Sequence, residues 1–196
     1  MPATTPNTRD FITVVSGLPR SGTSLMMQML GAGGIPPLTD ELREADPDNP
    51  RGYYEYEPVK KLGADRSWLP GAVGRAVKVI HMLITELPDD YQYRVLFMQR
   101  DLGETLASQK KMLERSGKRG AAMSDEKLAE VFQHQVDQAK TWLARRRHFQ
   151  VMDVHYAKLV ADPAPHTQQI GAFLGGGLNT AAMANVVDPS LYRQRR

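Results

Sequence analysis

Gly17-Leu18-Pro19-Arg20-Ser21-Gly22-Thr23-Ser24 is the segment of this 196-residue chain whose composition and spacing point most directly to chemistry. Four residues separate Gly17 from Gly22, the spacing at which successive backbone N–H groups can wrap a phosphate. A helix starting just beyond adds the favourable end of its dipole. Glycine at 22 lets the backbone come close to a ligand. A phosphate loop built for ATP or GTP ends in Gly-Lys-Ser/Thr. Here Thr23 stands where that Lys belongs, and the cation has moved inside the loop, to Arg20. The loop suits a phosphate, but it lacks the Lys that reaches β- and γ-phosphates and is poorly equipped for triphosphate hydrolysis.

Other chemistries are thinly supplied. Cysteine is absent and the five histidines are scattered, with no acidic cluster at ligand spacing, so neither a disulfide framework nor a zinc site is expected. Hydrophobic residues at 41% and charged residues at 24% are the balance of a globular chain, not a disordered one. No run of about 18 apolar residues suggests a membrane span. Residues 1–7 carry no basic cluster leading into an apolar run, so no signal peptide is expected, and a cytoplasmic location follows. Lys and Arg number 25 against 22 Asp and Glu, a formal charge of +3, too small an excess to call for nucleic acid. The cations are bunched at Arg145-Arg146-Arg147, at Arg193-Gln194-Arg195-Arg196, and from Lys110 to Arg119, where Glu114 is the single acid. Such runs are either solvated faces or sites for a small polyanion.

A phosphate loop works only between a strand and a helix. Phe11-Ile12-Thr13-Val14-Val15 predicts a buried central strand. Leu25, Met26, Met29 and Leu30 recur at helical spacing until Gly31, Gly33, Gly34 and Pro36-Pro37 end the helix. Residues 35–53 read as irregular, followed by a helix near 55–62, a second strand over 75–80 and a third over 94–99. Leu102, Leu106 and Leu113 mark the next helix, and 115–123 reads as a mobile loop. Leu128, Val131, Phe132, Val136, Ala139, Trp142 and Leu143 form one stripe of a long helix and are expected in the core. A fourth strand follows at 149–154, then helices over 156–161 and 163–174; from Val187 the pattern is indistinct. Strands alternating with helices predict an α/β fold of three layers around a central parallel sheet of four or five strands. One domain spans 1–196, with 1–10 a disordered tail. In such sheets ligands bind at the carboxyl ends of strands, which directs attention to the loops after the first three.

Pro19-Arg20-Ser21-Gly22-Thr23-Ser24 resembles the 5′-phosphosulfate loop of sulfotransferases that use 3′-phosphoadenosine 5′-phosphosulfate (PAPS). Cytosolic members carry Lys in place of Arg20; tyrosylprotein and many bacterial members carry Arg, as here. A second match closes the third strand. Arg100 and, eight residues on, Ser108 are similar to the Arg and Ser of the family's 3′-phosphate site. An Arg at a strand's carboxyl end can hold a phosphate bidentately. Tyr156, in His155-Tyr156-Ala157-Lys158-Leu159, resembles the Tyr near the adenine of cytosolic members, although Ala157 and Lys158 replace an acidic pair. Val187-Asp188-Pro189-Ser190-Leu191-Tyr192-Arg193 resembles the ending of bacterial members. The glycine-rich 3′-phosphate segment of cytosolic enzymes is absent, and Arg193 is a candidate substitute. The resemblance covers residues 11 to about 193 and implies a P-loop fold of the bacterial sulfotransferase type.

It also implies in-line transfer of a sulfuryl group from PAPS to a hydroxyl or amine, leaving 3′-phosphoadenosine 5′-phosphate (PAP), with no metal required. Arg20 is the expected cation at the bridging oxygen. Lys78, which resembles the strand Lys of cytosolic members, is the second. The base has several candidates. His81 comes one residue later than the family's His, whose place holds Ile80, and in a strand that slip turns a side chain to the other face. Glu41, beside Asp40, lies at the distance from the loop seen in tyrosylprotein members. Glu55 follows Asp48-Asn49-Pro50-Arg51-Gly52-Tyr53-Tyr54, a stretch similar to bacterial members, and is preferred. The acceptor is a small molecule or peptide; Tyr53, Tyr54, Trp68 and Met112 are either its wall or core. A monomer or homodimer is expected. The competing readings are a P-loop kinase of a small metabolite, with Ser24 holding Mg²⁺, and a non-catalytic nucleotide-binding module.

Overall fold

Every residue of β1 (Ile12–Gly17) is buried. A run so uniformly buried belongs in a sheet covered on both faces, and that is where it lies. The computed structural model describes residues 9–40, 42, 45–46, 49–115, 117 and 123–193. β1, β2 (Ala76–Lys78), β3 (Tyr93–Gln99) and β4 (Phe149–His155) form one sheet in the order β2-β1-β3-β4. All pairings are parallel: Val15 lies opposite both Lys78 and Leu96, and Gln99 lies opposite His155. The helices are α1 (Thr23–Gly33), α2 (Leu102–Arg115), α3 (Asp125–Ala144), α4 (Tyr156–Ala161), α5 (Pro163–Phe173) and α6 (Thr180–Asn185).

Alternation along the strands divides the core in two. Ile12, Val14, Val77, Tyr93, Val95 and Phe97 face one side, closed by Trp68, Leu69, Ile84 and by Ala139 and Leu143 of α3. Val15, Ala76, Leu96 and Met98 face the other, closed by Met26, Met29 and Leu30 of α1, Ile170 of α5 and Met183 of α6. These are the three layers that the sequence predicts. In the first core Tyr93 stacks on Phe149 at 4.5 Å between centroids, and Trp142 meets Phe149 edge-on at 5.2 Å. The Tyr93 hydroxyl donates to Pro88 O at 2.9 Å, and burial pushes that phenol far above its ordinary pKa, so it stays a donor.

Structure and sequence pattern differ in three places. β2 is shorter than 75–80: the strand ends at Lys78, although Val79 N still donates to Val15 O at 3.0 Å and His81 N to Gly17 O at 3.3 Å. The helix expected over 55–62 is a 3₁₀ turn, Glu57–Lys61, with Pro58 in its first turn. On α3, Ala139 and Leu143 are buried, whereas Leu128, Phe132 and Val136 are half-buried and Val131 is exposed. Length explains the last. A helix of 20 residues runs about 30 Å, while a strand of seven covers about 23 Å, so the first half of the stripe overshoots the sheet. Residues 1–8 of the expected tail, and 116 and 118–122 of the expected loop, lie outside the described residues. Among the described residues no helix is long and apolar enough to cross a membrane.

Phe97, 1% exposed at the centre of β3, tests this account of the core. Phe97→Ala should cost about 3–5 kcal/mol of unfolding free energy, read from the urea midpoint. A loss below about 1 kcal/mol would mean that the strand is not fully covered.

Candidate active site

The carboxyl ends of all four strands meet at one end of the sheet, and the loop between β1 and α1 closes it. Close approach shapes this loop. A Cβ on Gly17 would sit 2.6 Å from Met98 O, and one on Gly22 only 2.4 Å from Tyr156 Cδ2; Gly22 also has φ of +102°. Ser21 is buried, and its hydroxyl donates to Leu18 O at 2.7 Å, closing the turn from inside. Arg20 has φ of +71°, a conformation that costs a non-glycine residue on the order of 1–3 kcal/mol. Its carbonyl accepts from Arg100 Nη1 at 3.2 Å, which helps to hold it there.

Arg100, one residue past β3, is fixed on several sides. Its Nε donates to Glu104 Oε2 at 3.0 Å, with both side chains less than 10% exposed. Its guanidinium carbon lies 4.9 Å from the Tyr156 ring centroid and 5.2 Å from that of Tyr192. Those two rings meet edge-on at 5.1 Å. The Tyr192 hydroxyl donates to Glu104, with both carboxylate oxygens at 2.8 Å. Burial, and then this contact with Glu104, raises the Tyr192 pKa. Ser108, two turns along α2, accepts from Arg20 Nε at 3.1 Å. Arg20 thus spans from the loop between β1 and α1 to α2.

A second cluster lies beside β2. The Lys78 ammonium, 8% exposed, donates to Tyr53 O and, at 3.4 Å, to Ser24 Oγ; Glu55 Oε1 is 4.0 Å away. Asn49 Nδ2 donates to Ser24 Oγ at 2.9 Å, and Ser24 Oγ donates to Tyr53 O at 3.2 Å. Local turns set this up. Asn49 N donates to Asp46 Oδ1 at 2.9 Å, and the Tyr53 hydroxyl donates to Asp46 Oδ2 at 2.6 Å. The Glu55 carbonyl accepts from Thr39 Oγ1 at 2.9 Å and Asp40 N at 3.3 Å, pinning the backbone that presents its carboxylate.

Both clusters open into one cleft of about 420 Å³. It brings together Pro19, Arg20, Gly22, Thr23, Ser24, Glu55, Lys78, Arg100, Ser108, Tyr156 and Arg193 from the sequence reading. Ser21 lies beneath the loop instead. His81 does not line the cleft: Ile80 does, and the His81 ring is buried against Gly17 O at 3.3 Å and Gln135 Oε1 at 3.0 Å. Asp40 spends its carboxylate on the chain, accepting from Leu42 N at 3.2 Å and Glu57 N at 2.5 Å. Glu41 lies outside the described residues. Of the proposed wall residues, Tyr53 and Met112 line the cleft, while Trp68 belongs to the core beneath the sheet. The sequence offers an ion pair with Asp101 or Glu104 as the alternative role of Arg100, and the pair with Glu104 forms. Asn49 and Tyr192 lie in stretches similar to bacterial members, but only the structure gives them a place at the site. Among the described residues no three His, Asp or Glu lie close enough to hold a metal ion.

The Gly22–Tyr156 approach gives a direct test. Gly22→Ala should lower stability by at least about 1–3 kcal/mol through strain and collision together. In a Tyr156→Ala background only strain remains, so the same change should cost less. Equal costs in the two backgrounds would show that the ring and loop do not touch.

Comparison with known proteins fits this geometry. The model of the Sulfotransferase family matches residues 77–179, just over half of the chain. The matched segment contains Lys78, Arg100, Ser108 and Tyr156 but begins after the phosphate loop. No curated protein matches the chain. Among solved structures, the sulfotransferase domain of the Synechococcus PCC 7002 olefin synthase superposes with a TM-score of 0.58 at 16% identity, covering 97% of this chain and 90% of that one. The sulfotransferase domain of the curacin biosynthetic pathway gives 0.52 at 14% identity, with 95% and 92% covered. At such identities the likeness speaks for the fold. With the family match across β2 to α5, it establishes that the chain belongs to the sulfotransferase family.

Proposed function

We propose that the protein transfers a sulfuryl group from PAPS to a hydroxyl or amine of its acceptor. The observation that carries this is the meeting of Arg20 and Arg100 in one cleft, with Arg100 Nη1 donating to the Arg20 carbonyl and Arg20 Nε to Ser108. Arg20 lies in the loop proposed for the 5′-phosphosulfate, and Arg100 with Ser108 is proposed for the 3′-phosphate. A donor with anionic groups at both the 3′ and 5′ positions of its ribose suits two arginines in one cleft. The cleft suits such a donor chemically: Arg20, Lys78, Arg100 and Arg193 all line it, and their positive charge offsets that of the donor.

The donor supplies an activated sulfuryl group; the chain binds, aligns and moves a proton. Arg20 and Lys78 meet the charge that collects on the leaving phosphate. Arg100 and Ser108 hold the 3′-phosphate, and Tyr156 and Tyr192 keep the Arg100 guanidinium oriented. Glu55 accepts the proton of the attacking group. The acceptor atom forms the new bond to sulfur, and the bond from sulfur to the phosphate oxygen breaks, its electron pair leaving with PAP. Lys78 stands beside both Glu55 and the phosphate loop, so it can align acceptor and donor on one line.

Ligand-dependent melting tests the donor. PAP should stabilise the protein well beyond AMP, since a charge-assisted contact to the 3′-phosphate is worth roughly 1.5–3 kcal/mol, about tenfold or more in affinity. Mg²⁺ should change little. Equal stabilisation by PAP and AMP removes this reading, and strict Mg²⁺ dependence with ATP replaces it with a kinase. Two variants test the roles. Arg20→Ala should weaken PAP binding and lower turnover still further, because the charge it meets grows in the transition state. Glu55→Gln should cut turnover about a hundredfold or more while PAP still binds. Retained activity in Glu55→Gln would move the proton to another group.

A further inference from the structure

His81 is 3% exposed, and no step of the proposed reaction uses it. Burying an imidazole is costly unless both of its nitrogens find partners. They do, one on each side. Nδ1 lies 3.3 Å from Gly17 O, and Nε2 lies 3.0 Å from Gln135 Oε1. Gly17 O can only accept, so Nδ1 carries a proton and donates. Gln135 comes from α3, one turn before Ala139, which is buried in the core. The ring therefore ties the end of β1 to a helix that is itself packed on the sheet.

The atom held in this way is the last carbonyl of β1. Gly17 O takes a second bond from the His81 backbone N–H, also at 3.3 Å, so one residue engages the carbonyl twice. Gly17 is where the strand becomes the loop: its φ is +142°, and a Cβ there would lie 2.6 Å from Met98 O. The direction of this peptide sets the path of the residues that follow it, Arg20 included. The loop is held at a second point from the other side of β1, where Arg100 Nη1 donates to the Arg20 carbonyl. Between the two points Ser21 closes the turn onto Leu18 O with its N–H, at 3.2 Å, and its hydroxyl, at 2.7 Å. A leucine would fill the space of the ring and need no partners. An imidazole adds direction, a bond from a fixed ring to a fixed carbonyl. A site that must hold its groups to within about 0.5 Å needs such supports.

We propose that His81 is a positioning residue: through the Gly17 carbonyl it sets the loop that takes the donor's 5′ end, and it touches neither donor nor acceptor. The choice of nucleotide probes rests on the PAPS reading. Three substitutions separate the two bonds of the ring. Asparagine puts its amide nitrogen where Nδ1 stands, glutamine puts its amide where Nε2 stands, and leucine offers neither. Calorimetry compares PAP with adenosine 3′-phosphate, which lacks only the 5′-phosphate. In His81→Gln and His81→Leu the advantage of PAP over adenosine 3′-phosphate should fall about fivefold or more, with the affinity for adenosine 3′-phosphate unchanged. His81→Asn should keep the advantage. An advantage unchanged in all three variants, an equal fall in His81→Asn, or a parallel weakening of both nucleotides overturns the proposal. Hydrogen exchange over residues 17–26 of the free protein is a second readout that needs no donor. Exchange there should quicken in His81→Gln and His81→Leu but not in His81→Asn. If the unsubstituted protein binds neither nucleotide, the PAPS reading fails and exchange alone decides the role of His81: the same exchange in all four proteins overturns it.

Discussion

The guanidinium of Arg100 is the point on which the cleft depends. It holds the Arg20 carbonyl, and with it a loop residue in an unfavourable conformation; it pairs with Glu104; and it sits against two tyrosine rings. Burying such a pair is expensive, because both ions give up water, and removing one partner of a buried pair typically costs about 3–5 kcal/mol. The protein recovers part of that cost by crowding the site with partners. Tyr192 donates to the same carboxylate that Arg100 uses, so Glu104 is satisfied by an ion and a hydroxyl together. The outcome is a cation held firmly by the chain and placed in the wall of a cleft.

The sheet makes that placement possible. Parallel strands end together, so Gly17, Lys78, Gln99 and His155 close the same end of the sheet, and the segments that follow them share one cleft. Because β2 stops at Lys78, its ammonium reaches Ser24 and the Tyr53 carbonyl across the top of β1, while Ile80 turns to the cleft and His81 to the interior. Alternation continues past Lys78, where Val79 N and His81 N still bond to β1: the one-residue offset that separates Ile80 from His81 in sequence separates them in space.

What could be read in the sequence is what local rules govern. The loop between β1 and α1 shows itself through glycine spacing and its place after a β-branched run, and Arg100 with Ser108 through a strand end and two helical turns. Four parallel strands and the flanking helices follow from alternating patterns. What could not be read depends on chain segments far apart. Tyr192 reaches Glu104 across 88 positions, from a tail with no periodicity. Asn49 matters only because a turn at Asp46 carries it to Ser24. The stripe on α3 suggests core along its whole length, yet only Ala139 and Leu143 are buried, because a pattern of residue types does not reveal where a helix outruns its sheet.

The last described stretch of chain, Asp188 to Arg193, is fastened at both ends. Arg51 bonds Asp188 and the Val186 carbonyl at one, Glu104 bonds Tyr192 at the other, and Asp188, Leu191 and Arg193 between them border the cleft. Moving this border of the cleft requires those fastenings to part, so any exchange that passes along it is limited by their lifetime as well as by contacts made inside the cleft.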